Sequence, residues 1–75
     1  MSREILCQMA NDIGNFFATE PDRETAIDGI RNHMQRFWEP RMRKQIIALV
    51  ASGEEPAEPL SPLVLEAIGR LEENA

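Results

Sequence analysis

Prolines interrupt this chain at intervals, and between them apolar residues recur every three or four positions. Pro21 and Pro40 each disfavour helical backbone angles in the residue before them. Pro40 and Pro62 also suit the first position of a helix, where the missing N–H of a proline is not needed. The apolar spacing is typical of amphipathic helices rather than of strands. The sequence therefore predicts an all-α fold, a small bundle of three to four short amphipathic helices.

The predicted core is a unit of three helices over residues 1–52. We expect these helices to span about residues 2–17, 22–38 and 40–52, because a capping serine or aspartate or a proline stands at each start. The buried stripe of the first helix is predicted to consist of Ile5, Met9, Ile13, Phe16 and Phe17, widened by Leu6 and Ala10.

Two further segments follow this core. Residues 53–60 contain two prolines and three carboxylates without apolar periodicity, which predicts an extended, solvated acidic linker. Residues 61–75 are predicted to form a C-terminal helix, with Ser61 as its cap and Pro62 at its first position. The apolar stripe of that helix is Val64, Ile68 and Leu71.

The chain has one cysteine, Cys7, and one histidine, His33, among its 75 residues. It can form neither an internal disulfide nor a Cys/His zinc site by itself, and these are the usual staples of small domains. A catalytic cysteine–histidine pair would have to meet from two separate predicted helices, without an evident third group to orient it. The four glycines are dispersed, so no phosphate-binding loop is present. We expect a chain that is not an enzyme, binds no cofactor or metal, and associates with another chain.

Charge is distributed unevenly along the sequence. The net charge is -5, yet residues 31–44 carry five basic side chains and one acidic side chain. The overall acidity argues against a general binder of nucleic acid or anionic membranes. No apolar stretch is long enough to span a bilayer, and no secretory signal pattern is recognisable. These features favour a cytoplasmic protein.

In residues 31–44, basic side chains interleave with Phe37, the only tryptophan and two methionines. The segment has three interpretations: a core aromatic pair beside a solvated basic face, a nucleic-acid contact, or a protein-binding surface. The last is favoured, because Trp and Arg are enriched at interface hot spots. We expect Trp38 to insert into an apolar pocket of a partner while nearby arginines pair with carboxylates. The candidate partner-binding residues are His33, Arg36, Phe37, Trp38, Pro40, Arg41 and Arg43.

Two segments of the chain, MANDIGNFF at residues 9–17 and HMQRFWEPRMR at residues 33–43, occur together with Pro21 between them. In order and spacing, residues 5–50 resemble the delta subunit of soluble NAD-dependent formate dehydrogenases. The resemblance implies a small accessory subunit of a cytoplasmic enzyme that oxidises formate. It also implies that larger subunits hold the molybdenum or tungsten cofactor, the iron–sulfur clusters, FMN and NAD, while this chain supports their assembly or stability.

Other functions stay open on the sequence alone. A free-standing helical assembly chaperone or regulator would act on a nascent catalytic subunit and then leave it. A small DNA-binding protein would use residues 31–44, and its affinity would fall steeply with salt. The isolated chain is also a candidate homodimer, formed by pairing the apolar faces of its first two helices.

Overall fold

The computed structural model describes residues 2–53 and 58–72. Four helices occupy them: α1 (Arg3–Phe17), α2 (Arg23–Phe37), α3 (Pro40–Ala51) and α4 (Pro62–Glu72). The prediction of an all-α bundle is confirmed, since the described residues contain no strand. Most of the predicted acidic linker, and the last residues of the predicted C-terminal helix, lie outside the described residues.

Local chemistry fixes the ends of the helices. Ser2 and Asp22 are extended N-caps, and their side-chain oxygens each accept a hydrogen bond from the backbone N–H three residues further on. Pro40 occupies the first turn of α3, and the Ser61 hydroxyl accepts the backbone N–H of the residue three positions later in α4. Gly53, with a φ of 73°, follows the end of α3 in the left-handed conformation that glycine adopts at low cost. Each helix therefore begins where the capping residues of the sequence predict it.

The four helices close one apolar core. Helix α2 packs against α4 and α1, and α4 also contacts α3 and α1. The core contains apolar residues from every helix, and within the described part of the chain no charged or polar residue is buried. The buried side chains are Leu6, Cys7, Ala10, Ala26, Ile27, Ile30, Met34, Trp38, Ile46, Leu49, Val64, Ala67, Ile68 and Leu71.

Helix α1 turns only part of its predicted face to the core. Leu6 and Ala10 are buried and Met9, Ile13 and Phe17 pack against the core, as predicted, but Ile5 and Phe16 are exposed. Ile5 is 49% exposed and Phe16 is 74% exposed, while the buried face consists of Leu6, Cys7, Ala10 and Gly14. The physical reason is close packing against the start of α4. A Cβ atom placed on Gly14 would lie 2.5 Å from Val64 Cγ2, so only a residue without a side chain fits there.

Polar contacts on the surface hold α4 in place at both ends. At its start, the Asn11 side-chain oxygen in α1 accepts the backbone N–H of Ser61 at 3.1 Å. Near its end, the Arg70 guanidinium donates to the carboxylates of Glu24 and Asp28 in α2, at 2.8 Å to each. These contacts connect α4 to α1 and α2.

Candidate partner-binding surface

Trp38 lies in the core and not on the surface. Its side chain is 5% exposed and belongs to the buried apolar cluster. Helix α2 ends one residue earlier, and Trp38 adopts extended backbone angles (φ -82°, ψ 137°). The expectation that Trp38 inserts into a pocket of a partner does not fit this position, because the ring already fills the interior of its own chain.

Arg43 stabilises the connection between α2 and α3. Its Nη1 donates to the carbonyl oxygen of Trp38 at 2.7 Å and to that of Gln35 at 3.1 Å. The last carbonyls of a helix lack partners within the helix, and a cation there also interacts favourably with the helix dipole. The guanidinium therefore serves the fold at this turn, which is a role the sequence interpretation of Arg43 did not include.

Phe37, and not Trp38, is the exposed aromatic residue at the end of this helix. It is 68% exposed at the end of α2. One turn earlier on the same helix, His33 places its ring centroid 4.8 Å from that of Phe37, at an interplanar angle of 43°. The Arg36 guanidinium carbon lies 5.8 Å from the Phe37 ring centroid, within the range of a cation–π contact. Three predicted site residues thus form one cluster on α2.

The end of α1 adds a second aromatic pair to this surface. The rings of Phe16 and Phe17 meet edge to face, with centroids 5.1 Å apart. Together with Asp12, Ile13 and His33 they line a cleft of about 420 Å³ whose walls are largely apolar. His33 therefore belongs both to this cleft and to the cluster around Phe37. We call the combined surface, formed by Ile13, Phe16, Phe17, His33 and Phe37, the aromatic surface.

The sequence pattern does not distinguish the α1 residues of this surface from the core stripe of the same helix. Adjacency alone does not decide which of Phe16 and Phe17 faces the interior, since the adjacent residues Leu6 and Cys7 of the same helix are both buried. The structure places Phe17 half-buried against the core and leaves Phe16 outside. The remaining predicted residues, Pro40 and Arg41, are exposed in the first turn of α3.

The reactive side chains of the chain are not brought together for chemistry. The Cys7 thiol is fully buried, and that burial raises its pKa above the ordinary range, so the nucleophilic thiolate is disfavoured. His33, by contrast, is part of the aromatic surface. Among residues 2–53 and 58–72, no group of three or more His, Cys, Asp or Glu side chains is arranged to hold a metal ion. In the same residues, no helix combines the length and apolarity needed to cross a membrane.

Comparisons with known proteins address the family. No curated protein and no solved structure matches the chain. A sequence model of one family, described as the NADH-dependent formate dehydrogenase delta subunit FdsD, matches residues 5–68. That range includes both segments on which the resemblance rests, the aromatic surface and most of α4. The chain therefore belongs to the FdsD family of NADH-dependent formate dehydrogenase delta subunits.

Proposed function

We propose that this chain is a non-catalytic subunit that supports the assembly or stability of larger, cofactor-bearing subunits of a cytoplasmic formate dehydrogenase. The observation that carries the proposal is the aromatic surface on a chain whose own core is already closed. Phe16 and Phe37 are too exposed to contribute much to folding, and exposed aromatic clusters mark protein interaction sites.

The partner-binding residues follow from this surface. Among those predicted, His33, Arg36, Phe37, Pro40 and Arg41 have part or all of their side chains outside the core. We assign direct partner contact to these five. Trp38 and Arg43 act indirectly, because one fills the core beneath the segment and the other secures the turn that carries it.

The redox cofactors belong to other subunits in this proposal. An iron–sulfur cluster ordinarily needs four thiolate ligands, and this chain has a single, buried cysteine. The chemistry of formate oxidation would be supplied by the molybdenum or tungsten cofactor, iron–sulfur clusters, FMN and NAD in the larger subunits. This chain would contribute contact surface alone.

The proposal is tested by deleting the gene for this chain and purifying the remaining enzyme. We expect lower metal occupancy, lower specific activity or a lower melting temperature, restored when the wild-type chain is supplied again. An enzyme with full metal content, activity and thermal stability without this chain would refute the proposal. If the chain restores these properties but is absent from the purified active enzyme, it acts as an assembly chaperone that leaves.

A further inference from the structure

We propose that the cleft between α1 and α2 binds a single apolar side chain of a larger subunit, and that carboxylates flanking this side chain pair with Arg36 and Arg41. The inference rests on the proposed function, and it extends that function by adding α1 to the interface and by specifying the chemistry of the partner segment.

The shape and lining of the cleft favour one apolar side chain. Ile13, Phe16 and Phe17 contribute from α1, and His33 contributes from α2. At about 420 Å³ the cleft has room for one bulky aliphatic or aromatic side chain. Such anchors in apolar pockets are the usual centre of a protein interface.

Phe16 and Phe37 flank this cleft as large, solvated rings that come from different helices. Phe16 itself lines the cleft from α1, and Phe37 packs against His33, which lines the cleft from α2. An anchor residue in the cleft would cover Phe16, and the partner segment that carries it would cover Phe37 beside His33. Burial of aromatic area is a main source of binding energy, so both rings should contribute to affinity.

Charge specifies what surrounds the anchor. Arg36 and Arg41 are exposed, and in the described part of the chain no carboxylate forms an ion pair with either. The N–H groups of a guanidinium can form a bidentate hydrogen bond with a carboxylate while the face of the guanidinium lies over an aromatic ring. Asp12 lines the cleft itself, so an acidic anchor would be repelled there. The partner segment is therefore an uncharged apolar residue with acidic neighbours outside the cleft.

A second copy of this chain fits the surface less well than a different subunit. In a two-fold symmetric dimer the same patch lies on both sides of the interface. Arg36 and Arg41 would then approach the arginines of the other copy, and like charges across an interface oppose binding. The two exposed arginines thus favour an acidic surface on a different protein.

The inference is tested with the full-length chain, affinity-tagged and co-expressed with the larger formate dehydrogenase subunits. The amount of larger subunit recovered per tagged chain is quantified by mass spectrometry. Phe16→Ser and Phe37→Ser should reduce recovery about tenfold or more, as expected for interface hot spots. Ile5→Ser and Leu65→Ser are matched controls, since these side chains are 49% and 43% exposed and lie outside the aromatic surface. The controls should retain wild-type recovery.

Charge reversal tests the second half of the inference. Arg36→Glu and Arg41→Glu should reduce recovery severalfold, whereas Arg23→Glu, on an exposed residue at the other end of α2, should not. Circular dichroism establishes that each variant is folded, which we expect because every substituted side chain lies outside the buried core.

Three results would overturn the inference while leaving the proposed function intact. The first is wild-type recovery by Phe16→Ser and Phe37→Ser, and the second is wild-type recovery by both charge reversals. The third is that the substitutions disrupt a homodimer of this chain and leave the complex with the larger subunits unchanged. A failure of the wild-type chain itself to recover larger subunits would instead refute a stable subunit role.

Discussion

The two glycines at positions 14 and 69 offer a matched test of the packing between α1 and α4. Both lie within helices, where replacing glycine by alanine normally stabilises by about 0.5–1 kcal/mol. Their surroundings are opposite. A Cβ on Gly69 meets no atom within 4 Å, whereas a Cβ on Gly14 would lie 2.5 Å from Val64 Cγ2 and 3.3 Å from Ser61 Oγ.

The overlap at Gly14 cannot be relieved cheaply. Val64 is fully buried, and a β-branched side chain in a helix has one strongly preferred rotamer, so its methyl group cannot swing aside. Helix α4 must then move away from α1, and overpacking of this kind costs about 1–3 kcal/mol. Because the gain in helix propensity is similar in both variants, this cost is also the expected difference in their free energies of unfolding. Gly69→Ala should be the more stable variant.

Urea denaturation of the isolated chain measures this difference. Far-UV circular dichroism follows the helices, and the fluorescence of Trp38, the only tryptophan and a buried one, follows the core. Coincidence of the two transitions supports two-state analysis. A gap of 1 kcal/mol corresponds to about 4–8 °C in melting temperature for a domain of this size. If Gly14→Ala proves as stable as Gly69→Ala, the close approach of α1 and α4 is refuted.

Three further predictions concern the core, a cap and the thiol. Trp38→Ala should destabilise the chain by about 3–5 kcal/mol, comparable to the whole stability of a small domain, and so abolish the helical circular dichroism signal; a folded Trp38→Ala variant would contradict the core position. The hydroxyl and the backbone N–H of Thr25 donate hydrogen bonds to the Asp22 carboxylate and lower the pKa of its carboxyl. This cap therefore stabilises the fold at pH values above the ordinary aspartate pKa, and the stabilisation is lost as the pH falls through the lowered pKa of Asp22. Asp22→Ala should therefore lower the melting temperature at pH 7 but have little effect in strong acid, and an equal effect at both pH values would contradict this explanation. Cys7 should react with a thiol reagent at pH 8 only after urea unfolds the chain, because its burial raises the thiol pKa and blocks access; rapid labelling without urea would show that the thiol is accessible.

The helix boundaries could be predicted from sequence because capping is a local interaction. Ser2, Asp22 and Ser61 each accept a backbone N–H three residues away, and Pro40 begins α3 by its own ring geometry. None of these contacts depends on how the helices pack together. The positions of these residues in the chain were therefore sufficient to predict where the helices begin.

The buried face of α1 could not be predicted in the same way. Apolar residues cover a wide arc of this helix, and which part of the arc is buried depends on where α4 packs. That contact joins Gly14 to Val64, fifty positions apart in the chain. The small residues Cys7, Ala10 and Gly14 were the available signal, because a column of small side chains lets a neighbouring helix approach closely.

The burial of Trp38 has a related cause, since the sequence predicts both Phe37 and Trp38 at the partner-binding surface and only Phe37 is exposed. Extending the helical stripe through both residues assumes that the helix continues, but Trp38 leaves the helix and its extended backbone directs the larger ring inward. The tryptophan that would have been the strongest binding anchor instead supports the surface from below. The exposed Phe37 beside it belongs to the aromatic surface together with Phe16, which comes from another helix. The aromatic surface combines the end of α1 with the end of α2, so tertiary packing determines it, and one contiguous basic and aromatic segment of the sequence contains only half of it.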